Sequence, residues 1–259
     1  FDTSLLYGDS EIVLGKYFSS FKHSIRNLVL TTKFKIRHDD NLTKNDIERQ
    51  MYDFVEQSMR RLKIDKIPVY MLHNPGDMAL YGNIVPQTLE QLKNEGLIGM
   101  AAVSVYTSDE AYEMMQNEIY EAIQIPMNIF DNRLIKSGVI SKLHEANKII
   151  FVRSIFLQGL FFMNPESLTG NLVDAKDLLL NLDRLVNKEG MSIQQLALSY
   201  IRDMEGVSSL VIGAETPEQV RENIKLMEGT SISEKTKYEI SKLFDNIPAH
   251  ILNPGLWRR

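Results

Sequence analysis

The 259-residue chain has no cysteine. This excludes disulfides, thiolate metal sites and cysteine nucleophiles, and it suits the reducing cytoplasm, the compartment expected here. No stretch approaches the ~18 uninterrupted apolar residues of a membrane span. The densest apolar region, Ile149 to Met163, is broken by Arg153, Ser154, Gln158 and Gly159. A long basic run is also missing, and 29 basic against 34 acidic residues give a formal charge of -5, so the charge pattern offers nothing to nucleic acid. No signal peptide is visible, in a sequence that opens at Phe1 rather than methionine. What remains, 44% hydrophobic and 24% charged residues, is a globular composition with ample core material.

Short β-branched or apolar runs alternate with segments of helical period. The predicted strands are Leu28 to Lys33, Ile67 to His73, Met100 to Ser104, Ala122 to Pro126, Ile149 to Ser154 and Ser209 to Gly213, with Phe1 to Thr3 as the end of another. The predicted helices are Ser10 to Ser20, Thr43 to Leu62, Ile84 to Glu95, Ser108 to Gln116, Leu134 to Ala146 and Ser192 to Met204. Thr43 with Asp46 and Ser192 with Gln195 are start signals, and Pro217 suits a first helical turn. Such alternation implies a parallel sheet covered by helices, either doubly wound or a (β/α)8 TIM barrel. None of the 14 glycines forms the G-x-G of a dinucleotide-binding Rossmann turn, which favours one barrel domain over 1–259. With seven strand candidates, and a chain that opens inside a strand, the first βα unit is expected upstream of Phe1. The irregular stretch from Leu157 to Asn171 follows a strand and is a candidate lid.

In a barrel, polar residues at the C-terminal ends of strands converge on one mouth. Here they are Asp2, Tyr7 just beyond it, Lys33 and His73. Neither G-x-S-x-G nor H-E-x-x-H occurs, so triad and zinc chemistry have no support and no metal is expected. A tyrosine, lysine, aspartate and histidine are what general-acid carbonyl chemistry needs. Taken singly, each has a plainer reading as a rim tyrosine, a turn-capping aspartate, a solvated lysine or a loop histidine.

The run Phe1-Asp2-Thr3-Ser4-Leu5-Leu6-Tyr7-Gly8-Asp9-Ser10-Glu11 with Leu14-Gly15, then Thr31-Thr32-Lys33, Leu72-His73-Asn74-Pro75, Val103-Ser104, Gln124, and Ile212-Gly213-Ala214 through Glu222-Asn223 resembles, in order, the motifs of the aldo-keto reductases. The resemblance implies an NAD(P)-dependent oxidoreductase that moves hydride between nicotinamide and an aldehyde, ketone, alcohol or sugar. Tyr7 would be general acid and base. An unperturbed tyrosine has a pKa of about 10; Lys33, held by Asp2, would lower it, and His73 would donate a hydrogen bond to the carbonyl oxygen. A catalytically silent nicotinamide-binding barrel, serving as a sensor or partner module, is the alternative.

For the cofactor, NADP or NAD, the resemblance implies Ser104 and Gln124 at the carboxamide, Arg153 or Phe156 against the ring, Ser154 beside it, Leu157, Gln158 and Gly159 under the pyrophosphate, and Gly213, Gln219, Glu222 and Asn223 at the adenosine. The family's asparagine after the serine is Val105 here, with Asn128 as a substitute. Gly213, Glu215 and Gln219 replace the basic residues that usually meet a 2'-phosphate, which makes NAD plausible. The tail from Pro248 to Arg259 is expected to cover the pocket, or to pack on the barrel or a neighbouring subunit.

Overall fold

The computed structural model describes residues 1–20 and 28–258. Two compact units emerge, Phe1–Ile125 with Ala146–Ile149, and Pro126–Glu145 with Ile150–Arg259. In the first, α1 (Ser10–Ser20), β1 (Thr31–Phe34), α2 (Lys44–Leu62), β2 (Ile67–Leu72), α3 (Gly76–Tyr81), α4 (Ile84–Asn94), β3 (Ile98–Ser104), α5 (Ser108–Met115) and β4 (Tyr120–Pro126) follow in order. The strands are parallel and adjacent in sequence order, with Phe34 opposite Leu72, Leu72 opposite Val103, and Ser104 opposite Gln124. Asp2 bridges to Thr31 in the same sense. This register places Lys33, His73, Ser104 and Gln124 at one end of the sheet. The side chains of β2 and β3 are almost entirely buried, as expected of a parallel sheet covered on both faces.

Local chemistry sets the boundaries. Thr43 accepts from the Asp46 amide while Asp46 accepts from the Thr43 amide, so α2 starts one residue later than the pattern predicts. A second capping box, Thr107 with Glu110, starts α5. The first predicted strand moves forward because Leu28 and Leu30 pack with Phe18 and Leu62 between α1 and α2. Gly15 allows those helices to touch, since a Cβ there would collide with the Arg61 carbonyl.

The second unit holds α6 (Arg133–Lys136), α7 (Val139–Glu145), β5 (Ile149–Arg153), α8 (Lys176–Glu189), α9 (Ile193–Arg202), β6 (Ser209–Leu210), α10 (Pro217–Met227), α11 (Glu234–Leu243) and α12 (Ala249–Leu252). The single helix predicted for Leu134 to Ala146 breaks at Gly138, whose φ is +72°. The stretch after β5 folds into 3-10 turns at Leu157–Phe162, Pro165–Ser167 and Gly170–Ala175. The tail packs there: the Arg258 amide donates to Asn171 Oδ1 at 2.9 Å, and Asn171 Nδ2 donates to the Leu256 carbonyl at 2.9 Å. Its last residue, Arg259, lies outside the described residues. No helix among the described residues is long and apolar enough to cross a membrane.

Candidate active site

In the first unit, the end of the sheet gathers Asp2, Lys33, Tyr7 and His73. Lys33 is 1% exposed, and its ammonium donates to Asp2 Oδ2 at 2.6 Å and to the Thr3 carbonyl at 3.2 Å. Asp2 Oδ1 accepts from Thr31 Oγ1 at 2.6 Å and from Gln124 Nε2 at 2.8 Å. The carboxylate is thus fixed by three donors on two strands, β1 and β4, and it fixes the lysine in turn. Lys33 Nζ lies 5.1 Å from the centroid of the Tyr7 ring. The Tyr7 and His73 rings meet edge to face, with centroids 6.0 Å apart. Tyr7 is itself exposed, whereas the Lys33 side chain is enclosed and that of Asp2 is 16% exposed.

Neither the bond from Thr31 to Asp2 nor that from Gln124 is visible in the spacing of the sequence, because both join segments distant along the chain. Ser104 and Gln124 are buried, and Val105, at the position of the family's asparagine, is fully enclosed. Asn128 is buried as well, and its Oδ1 accepts from the Phe130 amide at 3.0 Å. Glu11, from the first motif, is fully buried and accepts from Thr32 Oγ1 at 2.7 Å, which ties α1 to the residue beside Lys33.

The second unit contains a cavity of about 860 Å3. Ser154, Gln158, Gly159, Gly213, Gln219, Glu222 and Asn223 line it, as do Phe156, Phe162 and Gln194. Of the predicted cofactor residues in this unit, Leu157 is buried beneath the wall and Arg153 ends β5; neither lines the cavity. The backbone here is unusual. Ser154, Leu157 and Gln158 have φ of +66°, +45° and +48°, and Gly159 has +83°. Left-handed residues other than glycine cost about 1–3 kcal/mol each and cluster where a ligand is handled, a signal that composition and period do not carry.

Opposite this strained turn stands the start of α10. The Thr216 hydroxyl caps the Gln219 amide, and Gln219 Oε1 accepts from the Glu215 amide at 2.6 Å. Arg221 is paired with Glu218 at 2.8 Å, and no lysine or arginine lines the cavity. The far end of α10 is gripped by α9. Arg202 donates to the carbonyls of Leu226, Met227 and Gly229 while pairing with Asp203 at 2.7 Å. Gln195 reaches the Leu226 carbonyl, and Ser199 the Thr230 carbonyl. No residue of α10 is buried.

A family model, the Aldo/keto reductase family, matches residues 1–244. The chain belongs to that family. It is 25% identical over 245 residues to the NADH-specific methylglyoxal reductase of Escherichia coli (strain K12), an alignment covering 84% of this chain and 74% of that protein. Its fold matches the holo form of aldo-keto reductase AKR11C1 from Bacillus halodurans with a TM-score of 0.76 at 22% identity, over 98% of this chain and 84% of that one. An aldo-keto reductase from Klebsiella pneumoniae, solved with NADP and acetate, matches with a TM-score of 0.71 at 20% identity, over 94% and 79%. The fold is the TIM barrel class of these reductases, and the protein is an NAD(P)-dependent oxidoreductase acting on small-molecule carbonyl compounds.

Proposed function

We propose that the protein reduces an aldehyde or ketone, or oxidises the corresponding alcohol, with Tyr7 as the proton-transferring group. The observation that carries this reading is the enclosed Lys33 ammonium, paired with Asp2, set 5.1 Å from the ring of the exposed Tyr7. An ammonium held in a dry site favours the phenolate and brings the phenol toward a useful acidity. Asp2, with Thr31 and Gln124 on its other oxygen, keeps the lysine from swinging out to water. His73, edge-on to Tyr7, donates to the substrate oxygen as negative charge develops there. In reduction the proton leaves Tyr7 Oη for that oxygen; in oxidation Tyr7 takes it back.

The second unit's cavity fits a dinucleotide, since its size lies within the range of ligand pockets and a left-handed turn and a helix start supply outward-facing polar groups. When bound, the nicotinamide supplies the hydride. Ser154 would lie beside its ring, and Phe156, on the wall where Arg153 is not, would be the stacking ring. Gln158 and Gly159 would receive the pyrophosphate, and Gly213, Gln219, Glu222 and Asn223 the adenosine. The cavity wall carries Glu215 and Glu222 and no cation, so NADH is the favoured form; a 2'-phosphate would meet carboxylates without a charge-assisted partner.

Fluorescence titration with NADH and NADPH, followed by turnover of a carbonyl panel in wild type and Tyr7→Phe, tests the proposal. Tighter NADH binding and turnover abolished in the variant are expected. Binding without turnover would replace the enzyme reading by a sensor or partner module, and no binding of either nucleotide would remove the cofactor assignment. Gln219→Arg should shift the preference toward NADPH by about tenfold, the scale of one charge-assisted hydrogen bond.

A further inference from the structure

Beside the loop that carries Tyr7, the first unit has a second cavity of about 450 Å3. Leu5, Leu6, Ile36 and Phe54 are its apolar wall, and Lys35, Arg37, His38 and Arg61 its charged or titratable lining. No carboxylate lines it. Among the described residues, none of Lys35, Arg37 and Arg61 has a carboxylate within ion-pair distance, whereas Lys33, Lys93, Lys176 and Arg202 each do. The buried Asp77 pairs with His38 at 3.1 Å and acts through space on Lys35. Asp39 and Asp40 belong to a different cavity, with Leu42, Leu80 and Tyr81. Three cations against one already engaged carboxylate is a local excess in a chain of net charge -5.

Concentrating like charges is unfavourable unless a ligand neutralises them. The Arg37 guanidinium lies 5.5 Å from the centre of the Phe54 ring, a cation–π arrangement that steadies it. A steadied guanidinium fork suits the paired oxygens of a phosphate or carboxylate. The groove's position gives it a purpose. Leu6 directly precedes Tyr7, Lys35 lies two residues past Lys33, and the Leu5 amide donates to the Lys33 carbonyl at 3.4 Å. An acidic group seated among Arg37, Arg61 and Lys35 would lead its carbon chain over Leu5 and Leu6 toward the phenol.

We propose that this groove binds the phosphate or carboxylate of an acidic carbonyl substrate; the proposal rests on the reading of Tyr7 given above. The full chain with NADH would be assayed on glyceraldehyde 3-phosphate against glyceraldehyde, and on succinic semialdehyde against butyraldehyde. At least one acidic member is expected to exceed its neutral partner in kcat/KM by about tenfold or more. The variant Arg37→Gln/Arg61→Gln, and separately Lys35→Gln, should lose that advantage through KM while neutral substrates are unaffected. Inorganic phosphate should compete with the acidic substrate. Equal kcat/KM for acidic and neutral members, an advantage that survives in both variants, or phosphate binding that leaves acidic turnover untouched would each overturn the proposal. If no aldehyde is reduced at all, the reading of Tyr7 fails, and calorimetry with phosphate and succinate decides the groove alone: binding lost in the double variant supports an acid-binding groove, and absence of binding to wild type overturns it.

Discussion

The two units handle polar groups in opposite ways. The first buries them: Lys33, Glu11 and Gln124 are enclosed, and each is engaged by a side chain around the sheet's end. The second leaves them open: Gln158, Gly213, Glu215, Gln219 and Glu222 are exposed around a wide cavity, and the unusual energy is stored in backbone dihedrals. Proton transfer requires a charge whose position and hydration do not fluctuate, which burial provides. Holding a large ligand requires surface that is free before the ligand arrives.

The sharpest way to break this contrast is at Tyr7. Tyr7→Phe should lower turnover by about 10²–10⁴-fold, the range for one general acid, with NADH affinity in a fluorescence titration unchanged; a matching loss of affinity would show that the two functions are not separable. Next is the buried ion pair. Asp2→Ala leaves Lys33 charged and enclosed, which costs about 3–5 kcal/mol, read as a lowered urea midpoint. Asp2→Ala/Lys33→Met should recover part of that stability without recovering activity.

A smaller effect is expected in the second unit. Arg202→Met removes the donor from the end of α10 and should cost about 2 kcal/mol. Hydrogen exchange should accelerate in α10 and leave β1 to β3 unchanged; uniform acceleration would refute a local clamp.

The smallest effect concerns pH, where the units should differ in sign. Hydrogen bonds from Arg202, opposed by partial burial and helped by Ser231 and Lys237, hold Asp203 below its ordinary value. Its contribution is present above about pH 4 and is lost as pH falls through the lowered value. Burial raises Asp77, against the opposing pull of His38, Asn74, Lys35 and the Ile36 backbone. The folded state therefore holds that proton more tightly, and stability declines as pH rises from about 4 through the raised value. Between those limits Asp203→Asn should lose ground against wild type as pH rises, and Asp77→Asn should gain it. Urea midpoints at several pH values read both slopes, and slopes of one sign would sink the assignment.

Much of the first unit was legible because its signals are local. The helix Ser10–Ser20 begins and ends where its period does, and Thr43 with Asp46 marks the next start. The helix Lys176–Glu189 was missed although Leu179, Leu182 and Leu185 share its buried face, because Ala175 before it offers no capping side chain. Gly138 reads as an ordinary glycine until its positive φ divides a helix. Within the site, Asp2, Tyr7, Lys33 and His73 stand in motifs. The donors that hold Asp2 come from residues 29 and 122 positions away, and no short pattern encodes such pairings. The left-handed residues Ser154, Leu157, Gln158 and Gly159 were equally hidden, since only the last is the type that announces such a backbone.

The attachment of α10 has an evolutionary consequence. The helix is tied to α9 by hydrogen bonds at its C-terminal end, it buries no side chain along its length, and its first turn borders the cavity. Substitutions in that first turn therefore meet little resistance from packing. A lineage could exchange one nucleotide for another through a few changes between Glu215 and Asn223 while the residues around Lys33 stayed as they are. The helix is a replaceable fitting on a fixed machine.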